Sequence, residues 1–248
     1  MPKIAVVIPC YNEAERLDLA EYERFVRSEP DVELLFVDDG SRDRTREVLE
    51  GLCMDSTARI RMYALPANVG KAEAVRQGLL QLLEGDASYV GYWDADLATP
   101  LDEIPRFARL LDERPEREMV FGARIKLLGR RVERKVARHY FGRVFATVVS
   151  LMLRLPIYDT QCGAKLFRVT PDLKTLFDTP FLSRWVFDVE IIARLTAAHG
   201  WGGPRSAENV IYEYPLTQWV DVHGSKLRAI DFVKAIYDLS RIYLAYLR

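Results

Sequence analysis

An α/β fold with a mainly parallel central sheet flanked by helices is what this chain of 248 residues predicts. Three observations carry it. The runs Lys3–Ile8, Val32–Val37 and Tyr89–Trp93 are apolar without alternation, as strands covered on both faces must be. Stretches with apolar residues at helical spacing separate them, which is the βαβ rhythm. Finally, the strands stop at polar clusters rich in Asp, Asn, Gly and Pro, where open sheets bind ligands.

In order, Lys3–Ile8 is a strand ending at Pro9-Cys-Tyr-Asn-Glu13, followed by a helix with Leu17, Tyr22, Phe25 and Val26 on one side. Val32–Val37 is a second strand, running into Asp38-Asp-Gly-Ser-Arg-Asp-Arg-Thr45, where Ser41 or Asp43 can cap a helix reaching Cys53. Arg59–Ala64 is a weaker third strand. Asn68-Val-Gly-Lys71 opens a helix marked by Ala72, Val75, Leu79 and Leu82. Tyr89–Trp93 is the fourth strand, Asp102–Asp112 a helix and Met119–Gly122 a fifth strand. Phe141–Leu155 is helical, with Arg143, Thr147, Ser150 and Arg154 as one polar stripe. It is too short to span a bilayer, and fits either a core helix or one lying in a membrane interface. Ile157–Arg168 is a polar turn entering a strand. A helix follows from Trp185 to His199, with Asp188 and Glu190 near its start, where capping and the helix dipole can account for both acids. Val210–Tyr214 is a late strand, Trp219–Lys226 a loop, and the rest an amphipathic helix through Leu227, Ile230, Val233, Ile236 or Tyr237, Leu244 and Leu247.

Composition narrows the function. The hydrophobic fraction of 49% with 29% charged residues describes a soluble globular chain, read as a single domain over 1–248. Three scattered cysteines, Cys10, Cys53 and Cys162, fit reduced thiols in a cytoplasm, and the strand at Lys3 leaves no room for a signal peptide. The net charge of −1 hides an asymmetry: Arg124–Arg143 holds eight Lys or Arg against Glu133 alone, leaving the remainder acidic. Such a block favours an anionic partner. With no aromatic-interleaved reading motif beside it, nucleic acid is not that partner.

The acids fall at strand ends: Glu13, Asp38 with Asp39, and Asp94 with Asp96. If they share one edge, the crevice is costly without a cation, and Mg²⁺ or Mn²⁺ on a bound phosphate suits such oxygen donors. Neither G-x-G-x-x-G nor a P-loop is present, since Leu65 and Ala72 occupy the P-loop's key places around Gly70-Lys71.

Together, Val-Val-Ile-Pro-Cys-Tyr-Asn-Glu13, Val-Asp-Asp-Gly-Ser41 with Thr45, Asn-Val-Gly-Lys71 and Asp-Ala-Asp96 resemble the family 2 glycosyltransferases of GT-A fold. Asp-Thr-Gln-Cys-Gly-Ala-Lys-Leu-Phe167, Trp185 with Phe-Asp-Val-Glu190, and Gly-Ser-Lys-Leu227 resemble the dolichyl-phosphate β-glucosyltransferase branch. The resemblance implies a nucleotide-sugar half over 1–122 and an acceptor half over 123–248. Pro9, Tyr11, Glu13, Asp38 and Lys71 would hold the nucleoside, Asp94 would contact the nucleotide, and Asp96 would ligate Mg²⁺ or Mn²⁺ on the diphosphate. Gln161 would shape the sugar and acceptor end, and Arg124, Arg138 and Lys226 would grip acceptor phosphate. Mannose synthases of this group have a Gln where this chain has Ala98, so the metal shell needs water or another side chain, with His223 a candidate alongside Asp94.

The implied reaction is inverting, metal-dependent transfer of a hexose from a UDP-hexose to a polyprenyl phosphate, by a peripheral enzyme at the cytoplasmic face of a membrane. A sugar hydroxyl as acceptor would require a general base, for which Asp188 is the best candidate. The rivals are the same fold acting on a saccharide or another lipid, and a silent nucleotide-sugar binding module.

Overall fold

A computed structural model describes residues 3–55, 59–133, 136–220 and 229–248, the side chains of residues 55, 133, 136–141 and 229–233 apart. Seven strands form the central sheet: β1 (Ile4–Cys10), β2 (Val32–Asp38), β3 (Ile60–Ala64), β4 (Tyr89–Trp93), β5 (Met119–Ala123), β7 (Ala164–Arg168) and β8 (Ile211–Pro215), in the order β3-β2-β1-β4-β7-β5-β8. β1 pairs in parallel with β2 and β4, β2 with β3, and β5 with β8. β7 alone runs antiparallel, between β4 and β5. Two short strands, β6 (Arg131–Glu133) within the basic block and β9 (Gln218–Val220) overlapping the start of the expected Trp219–Lys226 loop, pair in parallel as a separate ribbon.

Alternation along β1 separates the two cores. Ile4, Val6 and Ile8 pack on one face with Tyr22 and Phe25 of α1 (Leu19–Ser28), Leu49 and Leu52 of α2 (Thr45–Asp55) and Phe107 of α4 (Glu103–Glu113). Ala5 and Val7 face Val75 and Leu79 of α3 (Lys71–Leu82). That second core continues under α5 (Val136–Leu153), α6 (Phe187–His199) and α8 (Ala229–Tyr246) through Phe145, Ile191 and Ile242. Each fully buried Phe, Leu or Ile contributes roughly 1.5–3 kcal/mol, so a two-faced sheet is a rigid platform for loops. The short helix α7 (Ala207–Val210) joins α6 to β8.

Two differences from the expected elements matter. β1 extends through Pro9 to Cys10, because β4 pairs only with Ile4–Val7 and leaves that end of β1 open on one side, where proline is tolerated. α5 begins at Val136, five residues before the apolar run, so the later part of the basic block is helical. The segment beyond Val220 that holds His223 and Lys226 lies outside the described residues, as does the side chain of Arg138.

Candidate active site

Because β2, β1 and β4 are neighbours and parallel, their carboxyl ends deliver Asp38, the Tyr11–Glu13 loop and the Asp94–Asp96 loop side by side. The first two loops are zipped together. Asn12 takes a left-handed conformation (φ 54°), tolerable for Asn, and its N–H donates to Ser41 Oγ at 3.0 Å while its Oδ1 accepts from Arg42 N at 2.8 Å. Glu13 N donates to Thr45 Oγ1 at 2.8 Å, and Thr45 Oγ1 donates to Asp43 at 2.6 Å. This interlock explains why Tyr-Asn-Glu and Asp-Gly-Ser-x-x-x-Thr occur together.

The Asp94–Asp96 loop is held from three sides. Tyr22, fully buried, donates its hydroxyl to Ala95 O at 3.0 Å. Asp94 N donates to Gly163 O at 2.9 Å, and a Cβ on Gly163 would run into the Asp94 carboxyl. Val220, at the end of β9, donates its N–H to Ala98 O at 3.2 Å. Leu97 is left-handed (φ 54°), a strained conformation for leucine, and the turn it makes lets Asp96 Oδ1 accept from Ala98 N at 3.0 Å.

Charge in this crevice is unbalanced. Lys71 Nζ donates to Asp94 Oδ1. Burial works against the Lys71 charge, but Asp94 and Asp188 outweigh it and raise its pKa. Burial and then the Asp94 charge push the Asp96 carboxyl up, although Arg16 approaches it at 3.9 Å. Burial raises Glu13 too, with Asp96, Asp43 and Asp94 adding to the shift and Arg16, at 3.1 Å, opposing it. Glu13 Oε2 is buried and meets Arg16 Nη1 as an ion contact, with no aligned hydrogen bond. Two carboxylates under pressure beside a third are a donor set suited to a hard divalent ion. Among the described residues no three His, Cys, Asp or Glu converge closely enough to hold a metal by themselves. A divalent ion here would fit at Asp96, with Asp94 beside it, and would need its remaining ligands from outside these side chains.

The other donor-side candidates are present at the same edge. Pro9 is the penultimate residue of β1 and Tyr11 is exposed beyond the strand's end. Asp38 is only 2% exposed, and its Oδ1 caps the turn by accepting from Ser41 N at 3.1 Å. Asp39, counted with Asp38 among the strand-end acids but given no role, accepts from Asn68 Nδ2 (2.9 Å), Val69 N (2.7 Å) and Gly70 N (2.9 Å), so it anchors the loop before α3.

Because β7 is antiparallel, the Ile157–Gly163 strap enters the sheet at this same edge. Glu213 on β8 accepts from Tyr158 N at 2.9 Å and Asp159 N at 2.5 Å. Arg124 grips Asp159 as a fork, Nε to Oδ2 at 2.6 Å and Nη2 to Oδ1 at 2.7 Å, and lies over the Trp219 ring. Gln161, Arg124 and Arg143 line one narrow cleft between the strap and α5, with Arg143 over the Tyr158 ring. The strap alternates into β7 so that Lys165 points to the α6 side. There it is fully buried, donating to Cys162 O and to Asp188 Oδ1, each at 2.5 Å. Tyr92 donates its hydroxyl to the same Asp188 oxygen. Capping does not account for the acids of α6: Asp188 is in this buried pair, and Glu190 is paired with Arg194 at 2.7 Å.

Sequence reasoning missed Arg16 and Arg184. Arg16 had a faint signal, a lone cation three residues after Glu13 in a loop of acids. Arg184 had none. Cys10, Cys53 and Cys162 are free thiols, as expected. No helix among the described residues is long and apolar enough to cross a membrane.

Comparison with known proteins converges on one family. The model of Glycosyl transferase family 2 matches residues 5–175. The chain is 30% identical to the dolichyl-phosphate beta-glucosyltransferase of Saccharomyces cerevisiae, with 98% of this chain and 75% of that protein covered. The Mus musculus protein of the same name is 31% identical, covering 99% and 76%. Among solved structures, mannosyl-3-phosphoglycerate synthase from Rubrobacter xylanophilus superposes with a TM-score of 0.66 at 16% identity, covering all of this chain and 74% of that one. Glucosyl-3-phosphoglycerate synthase from Mycobacterium tuberculosis, solved with Mn²⁺, UDP-glucose and phosphoglyceric acid, gives 0.64 at 18%, covering 99% and 78%. The fold is GT-A, and the matched span takes in every strand that delivers an acid to the crevice. The chain is a glycosyltransferase and belongs to glycosyl transferase family 2.

Proposed function

We propose that this enzyme transfers glucose from UDP-glucose to a polyprenyl phosphate of the dolichyl type, with inversion, at the cytoplasmic face of a membrane. The observation that carries the acceptor class is the state of Asp188. A hydroxyl acceptor needs a base, and the best sequence candidate already accepts from Lys165 and Tyr92 inside the core. A phosphate monoester, with a second pKa of about 6, attacks as an anion near neutral pH and needs none. The dolichyl phosphate in the relatives' name supports the acceptor, and the UDP-glucose bound in the structural neighbour supports the donor.

Each group then has a task. Tyr11, Pro9 and the rim of Asp38 border the nucleoside, and Lys71 meets the diphosphate beside Asp94. Asp96 would hold Mg²⁺ or Mn²⁺, which when bound supplies Lewis-acid stabilisation to the departing diphosphate. Gln161 faces the acceptor cleft, and Arg124, already set by Asp159, presents a fixed positive charge there. Arg138 and Lys226 are the further acceptor cations, and His223 the further metal ligand, that the family resemblance suggests. The exposed side chains Val144, Val148 and Leu151 on α5, and Ile236, Tyr237 and Leu244 on α8, suit contact with lipid beside the basic block.

A donor and lipid-acceptor assay tests this. Radiolabel from UDP-glucose is expected in an organic-extractable glucosyl phosphate, with the β anomer by NMR and loss of product on chelation. Label confined to the aqueous phase would point to a saccharide acceptor, and UDP binding without turnover would point to a silent module. Charge reversal at Arg130 and Arg131 is expected to weaken binding to anionic vesicles more than binding of UDP.

A further inference from the structure

Lys71 is the first residue of α3, so its direction depends on the three residues before it. From one side, Asp39 accepts from Asn68, Val69 and Gly70. From the other, Arg184 donates Nε to Val69 O at 2.9 Å, with Nη2 near Asn68 O and Oδ1 at 3.5 and 3.4 Å. Gly70 sits at φ 98°, and a Cβ there would lie 2.6 Å from Arg184 Nε. The glycine thus serves both a backbone conformation and the guanidinium that lies across it.

Arg184 is carried by a turn that is itself fixed. Glu190 accepts from Leu182 N at 2.8 Å and Ser183 N at 3.3 Å. Ser183 Oγ accepts from Trp185 N and Val186 N and donates to Asp238 on α8 at 2.7 Å. Arg241, also on α8, donates to Leu182 O at 3.0 Å. A continuous set of contacts therefore runs from α8 through Arg184 to the loop that aims Lys71 at Asp94.

We propose that Arg184 is a positioning residue: it latches the Asn68–Gly70 loop so that Lys71 stands over Asp94, joining the acceptor half of the chain to the nucleotide cradle. This rests on the donor reading above for what Lys71 touches, but the latch itself does not depend on it. Losing the guanidinium leaves the loop held by Asp39 alone.

Hydrogen exchange and donor kinetics of Arg184→Ala, Arg184→Lys and Gly70→Ala test it in the full chain. In Arg184→Ala, exchange at Val69 and Gly70 is expected to quicken about tenfold while strand amides keep their protection. The KM for UDP-glucose is expected to rise about tenfold with kcat within about threefold of the parent. Arg184→Lys, which keeps one donor for Val69 O, should recover part of both effects. Gly70→Ala should cost less in the Arg184→Ala background than alone, since the clash with the guanidinium is then gone and only the backbone strain remains. Unchanged exchange at Val69 and Gly70, or loosening spread evenly over the sheet in both Arg184 variants, would overturn the latch. If the parent binds no nucleotide, the donor reading fails and the exchange arm still decides the latch.

Discussion

The two sides of the catalytic edge balance their charges differently. On the acceptor side, the ionic groups buried behind the cleft are matched inside the protein: Lys165 with Asp188 and Arg194 with Glu190. On the donor side, Glu13, Asp94 and Asp96 share Lys71 and Arg16, and Glu13 and Asp96 still hold their protons more tightly than ordinary carboxylates. Matched pairs are framework, because buried charges that are not compensated from within are costly. The unmatched acids are where, on the reading proposed above, an outside cation would be held.

The contrast can be broken at four points. Asp96→Ala should lower transfer by about 10³-fold or more while the Tm stays within a few degrees, since it removes a strained charge and no core contact. Turnover retained with Mn²⁺ would place the metal elsewhere. Gly163→Ala pushes a methyl into the Asp94 carboxyl, and a displacement of that size should cost about 10²-fold in kcat/KM without unfolding the chain. Wild-type kinetics there would mean the strap is not the seat of Asp94.

On the matched side the readout is stability. Lys165→Met leaves Asp188 buried without its cation and should cost about 3–5 kcal/mol in urea denaturation, with Lys165→Met/Asp188→Leu recovering much of it. Equal losses in the single and double variants would show that the pair is not the framework. The smallest effect is alkaline. Burial, and then the hydrogen bond to Asp112, push the Tyr89 hydroxyl up to about 12. The folded state therefore keeps a proton that the unfolded chain releases near 10, so this stabilisation is whole below about pH 10 and fades between there and about 12. Tyr89→Phe should flatten that part of a stability–pH curve; an unchanged slope would assign it to other groups.

How much of this was legible in the sequence follows from range. Parallel strands buried on both faces are written locally as apolar runs, so β1, β2, β4 and their acidic ends could be read directly, and adjacency in the sheet brought Glu13, Asp38 and Asp96 together as expected. β6 and β9 are three residues each and exist only because they pair across more than eighty positions, which no local pattern encodes. Asp188 looked like a helix-start acid because its partners, Lys165 and Tyr92, lie on two other strands. Arg184 sits in an ordinary Ser-Arg-Trp, and its meaning depends on a glycine more than a hundred residues earlier.

The reversed direction of β7 has an evolutionary consequence. The polypeptide departs from the sheet after β5 and returns at the start of β7 on the same rim, so residues 124–163 form an excursion whose length is independent of the strand register beneath it. On the reading proposed above, acceptor recognition can be recast within that excursion as long as Gly163 keeps its place against Asp94.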